Sequence, residues 1–171
     1  MRCPTCGQQN LPGSDLCAAC ETPLAPLDLP TPFDKIESSL MADPVAVLAP
    51  KPPVTVPRGA TLGEAVRRMM DRGVGAVLVT GEAERLVGIL TERDFLTKVA
   101  GQPTFPELPV ADFMTPSPET VRPTDPLAFA LFKMDTGGYR HLPVVDGGEQ
   151  PVGVVSVRDV LRHVTKICRD G

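Results

Sequence analysis

Tryptophan is absent from this 171-residue chain and tyrosine occurs once, at Tyr139, so aromatic residues make up only 4%. A surface that stacks nucleic-acid bases needs several exposed rings, and this composition does not supply them. Positive charge is not in excess either: 17 Lys and Arg stand against 21 Asp and Glu, a net charge of −4. That balance excludes a non-specific grip on a phosphate backbone. The longest near-continuous apolar run, Val74 to Val79, falls far short of the roughly 20 residues of a transmembrane helix. The opening Met1-Arg2-Cys3-Pro4 has no apolar core of a secretory signal, so a cytoplasmic location without membrane association is expected. Histidine is scarce, at positions 141 and 163 only. No nucleophile–base–orienter set and no paired carboxylates with an acid/base role can be assembled, so the chain is not expected to be an enzyme.

What is present is 42% hydrophobic residues, 20 prolines and five cysteines. The first value is that of a globular protein and excludes disorder of the whole chain. The prolines foretell short elements with rigid connections. Four cysteines form two C-x-x-C pairs, Cys3/Cys6 and Cys17/Cys20, while Cys168 stands alone with no assigned role. Each pair presents two thiolates from one tight turn, and two turns complete a tetrahedral S₄ site suited to Zn²⁺. Gly7 follows the first pair where such a turn needs positive φ. Two disulfides are the alternative, disfavoured in a reducing cytosol. So short a segment cannot bury enough apolar surface to fold alone, so the metal would supply the folding energy. Four thiolates leave no open coordination position, so the zinc is read as structural. The segment CPTCGQQNLPGSDLCAACETPL resembles the zinc-ribbon family, with one departure: Glu21 stands where that family usually has a second glycine. Residues 1–24 carry one basic residue, Arg2, against Asp15 and Glu21, which favours contact with a protein over nucleic acid.

Residues 25–37 read as a proline-rich linker, with Pro26, Pro30 and Pro32 favouring extended polyproline II. Beyond it the chain repeats itself. A shift of 65 residues aligns Thr55–Val99 with Thr120–Val164 without a gap, and fourteen of the forty-five positions are identical. They include apolar positions (Leu62/Leu127, Met69/Met134) and special ones (Gly88/Gly153, Asp94/Asp159). Similarity held in register through both kinds of position indicates a duplicated unit. Thr61 and Glu64 predict a capping box ahead of an apolar stripe at 62, 65, 66, 69 and 70. Asp125-Pro126 predicts an N-cap with proline at the first helical position. Gly73 and Gly138 are expected to end these helices. Strands are expected at Val74–Thr80, Leu86–Leu90, Leu142–Asp146 and Val152–Val155, with second helices from Glu92 and from Val157. The fold class is therefore α+β: two β-α-β-β-α units related by a pseudo-two-fold axis, preceded by a small metal-binding domain.

This order, together with Phe113-Met114-Thr115-Pro116, Arg140-His141-Leu142-Pro143-Val144-Val145-Asp146, GILTERD (88–94) and GVVSVRD (153–159), resembles the CBS-domain pair, named after cystathionine β-synthase. The resemblance spans roughly residues 38 to 167, divided into motif 1 at 38–101 and motif 2 at 102–167, with a tail at 168–171. Repeat one opens less typically, at Leu40-Met41-Ala42-Asp43-Pro44, and carries eight more residues before Thr55 than Met114 has before Thr120.

Gly88–Asp94 and Gly153–Asp159 each run from a strand end towards a helix start. A glycine there lets a ligand approach the backbone, and the helix N–H groups favour an anion. Thr91 or Ser156 would bond a phosphate, and Asp94 or Asp159 would accept from a ribose diol. Capping alone also explains these four residues. The resemblance implies an adenosine ligand (AMP, ADP, ATP or S-adenosylmethionine) in two candidate clefts. It further implies phosphate contacts from Arg140 and His141, beside Leu142 and Pro143. It implies adenine contacts near Thr55 and Thr120, and apolar contacts from Ile89 and Val154. Arg93 and Arg158 would either reach a phosphate or pair with a neighbouring acid. Where repeat two has Arg140-His141, repeat one has Gly75-Ala76, so two identical ligands are not expected. The leading expectation is a regulatory adenosine-nucleotide sensor and homodimer, formed through its CBS helices. Its structural zinc ribbon would relay to a protein partner, with any regulated activity on another chain. A ligand-free dimerisation scaffold is the alternative, and a ribbon contacting nucleic acid is a third, weaker one.

Overall fold

The computed structural model describes residues 2–11, 14–24, 34–99, 101 and 103–170. The linker prolines 26, 30 and 32, and Gly13, lie outside them. The chain divides into two compact units, Met1–Asp34 and Lys35–Gly171.

The first unit is two copies of one turn. Cys3 N–H donates to Gln8 O and Gly7 N–H to Cys3 O, both at 2.9 Å. Fourteen residues on, Cys17 N–H donates to Thr22 O and Glu21 N–H to Cys17 O, again at 2.9 Å. Isolated bridges Arg2↔Gln9 and Leu16↔Pro23 flank the turns. Among the described residues of this unit the buried apolar cluster is Cys3, Cys17 and Leu24.

The second unit holds helix α1 (Lys35–Ala42), strand β1 (Thr55–Pro57), α2 (Leu62–Arg72), β2 (Ala76–Thr80), β3 (Leu86–Thr91) and the single turn α3 (Glu92–Asp94). There follow β4 (Thr115–Pro116), α4 (Leu127–Gly137), β5 (His141–Val145), β6 (Pro151–Ser156) and α5 (Val157–Asp170). The β-α-β-β-α order thus appears twice. The capping box at Thr61 and Glu64 is formed in full, and Gly73 (φ 59°) and Gly138 (φ 64°) close α2 and α4 in the left-handed conformation. Two local expectations are corrected. Pro126, not Asp125, is the N-cap of α4, because the Asp125 carboxylate is turned back to accept the Arg122 N–H at 2.8 Å. The helix expected from Glu92 stops after Asp94 and continues as a π-helical turn, Phe95–Val99, and the chain swings away at Gly101 (φ 92°).

Four strands form a sheet in the order β1-β2-β3-β4, with β1 parallel to β2 and the remaining pairs antiparallel. β5 and β6 pair antiparallel, and the first strand of repeat two is reduced to one bridge, Val121↔Val144. Proline explains the reduction. Repeat one ties its first strand with Leu78 N–H to Val54 O and Arg58 N–H to Thr80 O, each at 2.8 Å. The equivalent donors would be residues 143 and 123, and both are proline, which has no N–H.

The two repeats are interleaved. β4, which opens repeat two, pairs with β3 of repeat one, and Lys51, ahead of repeat one, bridges Val154 of β6. Val154 is the repeat equivalent of Ile89, which pairs with Thr115, so these pairings put Lys51 in register with Thr115. Lys51 stands four positions before Thr55 and Thr115 five before Thr120, so the additional residues of repeat one lie upstream of Lys51. The cores cross over in the same way. Val99, Val110 and Met114 complete the core of Val56, Leu62, Met69, Val77 and Leu90. Val45, with partly buried Leu40 and Leu48, completes that of Val121, Leu127, Met134, Leu142 and Val155. Among the described residues no helix is long and apolar enough to cross a membrane.

Candidate functional site

In the first unit the Sγ atoms of Cys3, Cys6, Cys17 and Cys20 lie within 4.8 Å of one another. Cys3 and Cys20 are 3.6 Å apart, as are Cys6 and Cys17. Four sulfurs at about 2.3 Å from a tetrahedral zinc would be about 3.8 Å apart, so the donor set and spacing fit Zn²⁺. Backbone N–H groups prepare two of them as thiolates: that of Ala19 leads in bringing Cys17 down to about 6, and that of Cys6 leads in lowering Cys3. At Cys6 the Gln8 N–H acts in the same sense, but neighbouring Cys20, Cys17 and Cys3, with burial, push the thiol up to about 12. Four thiolates together therefore require a cation among them. Asn10 is a participant that spacing did not reveal. It is nearly buried, accepts the Ala18 N–H at 2.9 Å and donates to Cys17 Sγ at 3.5 Å, holding the second turn against the first.

In the second unit a cleft of about 910 Å³ is lined by residues of both repeats. Its walls bring together eight of the expected residues: Ile89, Thr91, Arg93, Asp94, Arg140, His141, Ser156 and Arg158. Thr115, Pro118 and Glu119, from the segment that opens repeat two, line the same cleft. Six expected residues are placed elsewhere. Leu142 is in the repeat-two core and Pro143 is buried beside it. Val154 packs on Ala76, Leu78 and Ile89 between the repeats. Asp159 lines a second cavity of about 430 Å³ with Lys35, Arg162, His163 and Lys166. Thr55 and Thr120 lie off the cleft wall, and their carbonyls accept from Arg68 (2.6 Å) and Lys133 (2.8 Å), which are themselves repeat equivalents.

The hydroxyl–carboxylate pairs are present as capping contacts. Thr91 N–H and Oγ1 donate to Asp94 Oδ2 at 3.0 and 2.6 Å, and Ser156 N–H and Oγ donate to Asp159 Oδ2 at 2.9 and 2.6 Å. The second oxygen pairs with Lys98 in one copy (2.7 Å) and Arg162 in the other (3.0 Å). Packing also accounts for the glycines ahead of them. A Cβ on Gly88 would lie 2.2 Å from Met114 Sδ, and one on Gly153 would lie 2.6 Å from Pro50 Cβ. With α3 a single turn, repeat one brings no substantial helix dipole to the cleft; the groups there that attract an anion are the arginine side chains and the start of α5. Burial pushes His141 below its usual value; Glu92 and Asp159 oppose the shift, and Arg158 and Arg140 reinforce it.

One polar cluster resembles catalytic machinery in composition only. His163 Nε2 lies 2.8 Å from Ser39 Oγ and 3.6 Å from Asp43 Oδ2, and the Ser39 hydroxyl donates to the same carboxylate. A single ring nitrogen faces both partners, so no carboxylate orients the opposite nitrogen as a triad requires. The cluster pins α1 to α5.

A duplicated α+β unit with a polar cleft lined by both repeats, its opening strands exchanged between copies, defines the class of module. The chain belongs to the CBS-domain family, whose pattern it matches over residues 39–101 and 110–166. CBS pairs are regulatory, non-catalytic modules. The chain is 44% identical over 110 residues to the CBS domain-containing protein CBSCBSPB5 of Arabidopsis thaliana, a match covering 64% of this chain and 19% of that protein. It thus spans about a fifth of the length of such relatives. Among solved structures, a CBS domain protein from Pyrobaculum aerophilum complexed with AMP is 30% identical, with a TM-score of 0.64 and coverage of 72% of this chain and 98% of that one. A CBS domain pair in complex with 5′-methylthioadenosine and S-adenosyl-L-methionine is 25% identical, with a TM-score of 0.64 and coverage of 70% and 98%.

Proposed function

We propose that this chain is a regulatory sensor of an adenosine compound, and that its Cys₄ unit is a structural zinc ribbon through which the state of the CBS pair reaches a protein partner. The observation that carries the reading is the cleft itself. Arg93, Arg140, Arg158 and His141 converge with Asp94 around about 910 Å³, so one wall suits a phosphate or other anionic group and another a ribose. The relatives complexed with AMP and with S-adenosyl-L-methionine support an adenosine ligand. Ligand bridging the two repeats would favour one relative orientation of them, a population shift. A homodimer formed through the CBS helices is supported by exposed Leu96 and Leu161, which are repeat equivalents, and by exposed Phe132.

A thermal-unfolding panel on zinc-loaded protein tests the reading, using AMP, ADP, ATP, S-adenosylmethionine and 5′-methylthioadenosine with GTP as control. At 100 times its dissociation constant a ligand stabilises the native state by about 2.7 kcal/mol, a shift of several degrees. A selective shift with one adenosine compound is expected. No shift with any of them at millimolar concentration would overturn the sensor. The second reading, a ligand-free dimerisation scaffold, is favoured by the capping contacts that already engage Thr91, Ser156 and both aspartates.

A further inference from the structure

The Cys₄ unit repeats itself at an interval of 14 residues, and the two copies are uneven in what they offer each sulfur. The shift carries Cys3 and Cys6 onto Cys17 and Cys20, Gln8 onto Thr22 and Asn10 onto Leu24. In the second pair both sulfurs meet a side-chain donor. Asn10 Nδ2 donates to Cys17 Sγ at 3.5 Å, and Thr22 Oγ1 lies 3.1 Å from Cys20 Sγ. A metal-bound thiolate has no proton, so in the loaded site the hydroxyl is the donor. The first pair has no such help. Leu24, the counterpart of Asn10, is buried in the apolar cluster, and Gln8, the counterpart of Thr22, turns its amide to donate to Gln9 O at 3.2 Å. Among the described residues, the donors to these sulfurs other than thiols are backbone N–H groups: those of Cys6 and Thr5 at Cys3, and that of Gln8 at Cys6.

Access divides the same four residues differently. Cys3 and Cys17 are buried, whereas Cys6 and Cys20 are exposed. A hydrogen bond to a thiolate engages the electron pairs that would attack an electrophile, and it fixes the sulfur in place. Of the two sulfurs that a reagent can reach, Cys20 carries the Thr22 hydroxyl and Cys6 carries no side-chain donor. Cys17, beside Cys20 in the second turn, is both buried and held by Asn10. Exposure and missing donors therefore coincide at one ligand only.

Resting on the zinc-site reading above, we propose that Cys6 is the reactive thiolate of the Cys₄ unit, the position at which a soft carbon electrophile modifies this site first. In alkylation by a haloacetamide the Cys6 sulfur forms a bond to the electrophilic carbon. The carbon–halogen bond breaks, and halide leaves with its electron pair. The thioether product carries no charge, so the site loses one of its four anionic ligands. A unit whose described residues bury only a three-residue apolar cluster depends on that set for its fold. Modification at Cys6 is thereby coupled to the order of the whole unit.

Limited treatment of the full zinc-loaded chain with iodoacetamide, followed by peptide mass mapping, tests this. Cys168, exposed and outside the site, serves as the internal reference for reagent activity. Among the four ligands Cys6 is expected to be alkylated first, about fivefold or more faster than Cys20. Thr22→Val is expected to raise the Cys20 rate to that of Cys6. Gln8→Thr, at an exposed position, is expected to lower the Cys6 rate towards that of Cys20. Equal zinc content in wild type and variants before treatment separates lost shielding from lost folding. Cys20 reacting as fast as Cys6 in wild type, or either substitution leaving both rates unmoved, would overturn the inference while leaving the zinc site standing. Failure of the reduced wild-type chain to retain zinc would overturn the zinc reading itself.

Discussion

Glu21 and Gly7 occupy equivalent places in the two cysteine turns, with φ of 56° and 74°. The left-handed conformation costs an L-residue about 1 kcal/mol or more, and glycine avoids that cost. Glu21→Gly is therefore expected to stabilise the zinc-loaded unit by about 1 kcal/mol, seen as a later midpoint when chelator is titrated against the protein. The aspartates of the second unit make a prediction about pH. Burial alone would raise Asp94 and Asp159, but Lys98 and Thr91 in one case, and Ser156 and Arg162 in the other, hold both carboxyls below 3.8. A carboxyl lower in the folded than in the unfolded chain stabilises above about 3.8, and that contribution is lost as pH falls through the folded value. His141 is also lowered, by burial first, so the folded state holds its proton less well than the unfolded chain. Stability is then expected to decline as pH drops below 6.5, before the aspartates act, and His141→Gln should remove that earlier step in denaturation midpoints measured from pH 8 to 3.

At the level of elements, the sequence was legible where one residue type has one physical use. Thr61 with Glu64 made a capping box, and Gly73 and Gly138 ended their helices, because those contacts are local. The packing role of Gly88 and Gly153 was not legible because their partners, Met114 and Pro50, are distant in sequence and reach them only through the exchanged segments. That arrangement orders two substitutions. Alanine at 153 meets the rigid ring of Pro50 with the Lys51 carbonyl behind it, whereas alanine at 88 meets the flexible Met114 side chain. Both are expected to destabilise, Gly153→Ala by the larger amount, within the range of about 1–3 kcal/mol for overpacking. Comparison of urea midpoints checks the order, and equal midpoints would contradict it.

Over the whole molecule, the chain divides into a unit whose described residues bury a three-residue apolar cluster and one with two larger cores. Only the second buries enough to stand without metal. Millimolar chelator should therefore abolish protease protection of residues 3–24 while leaving the main unfolding transition in place; loss of both together would contradict this. The sequence by itself determined the S₄ donor set, the duplication and the α+β class, since spacing, internal identity and periodicity are properties of the chain in order. Only the tertiary structure decided which residues share a cleft. Asp94 shares a cleft with Glu119 and Arg140 of the other repeat, and Asp159 shares a cavity with Lys35 of α1, while β4 and Lys51 each pair with a strand of the other repeat. A 65-residue period records that two units are alike, but not which edge of each unit pairs with which segment. That choice is made by hydrogen-bond donors and apolar faces that meet only when both copies have folded together.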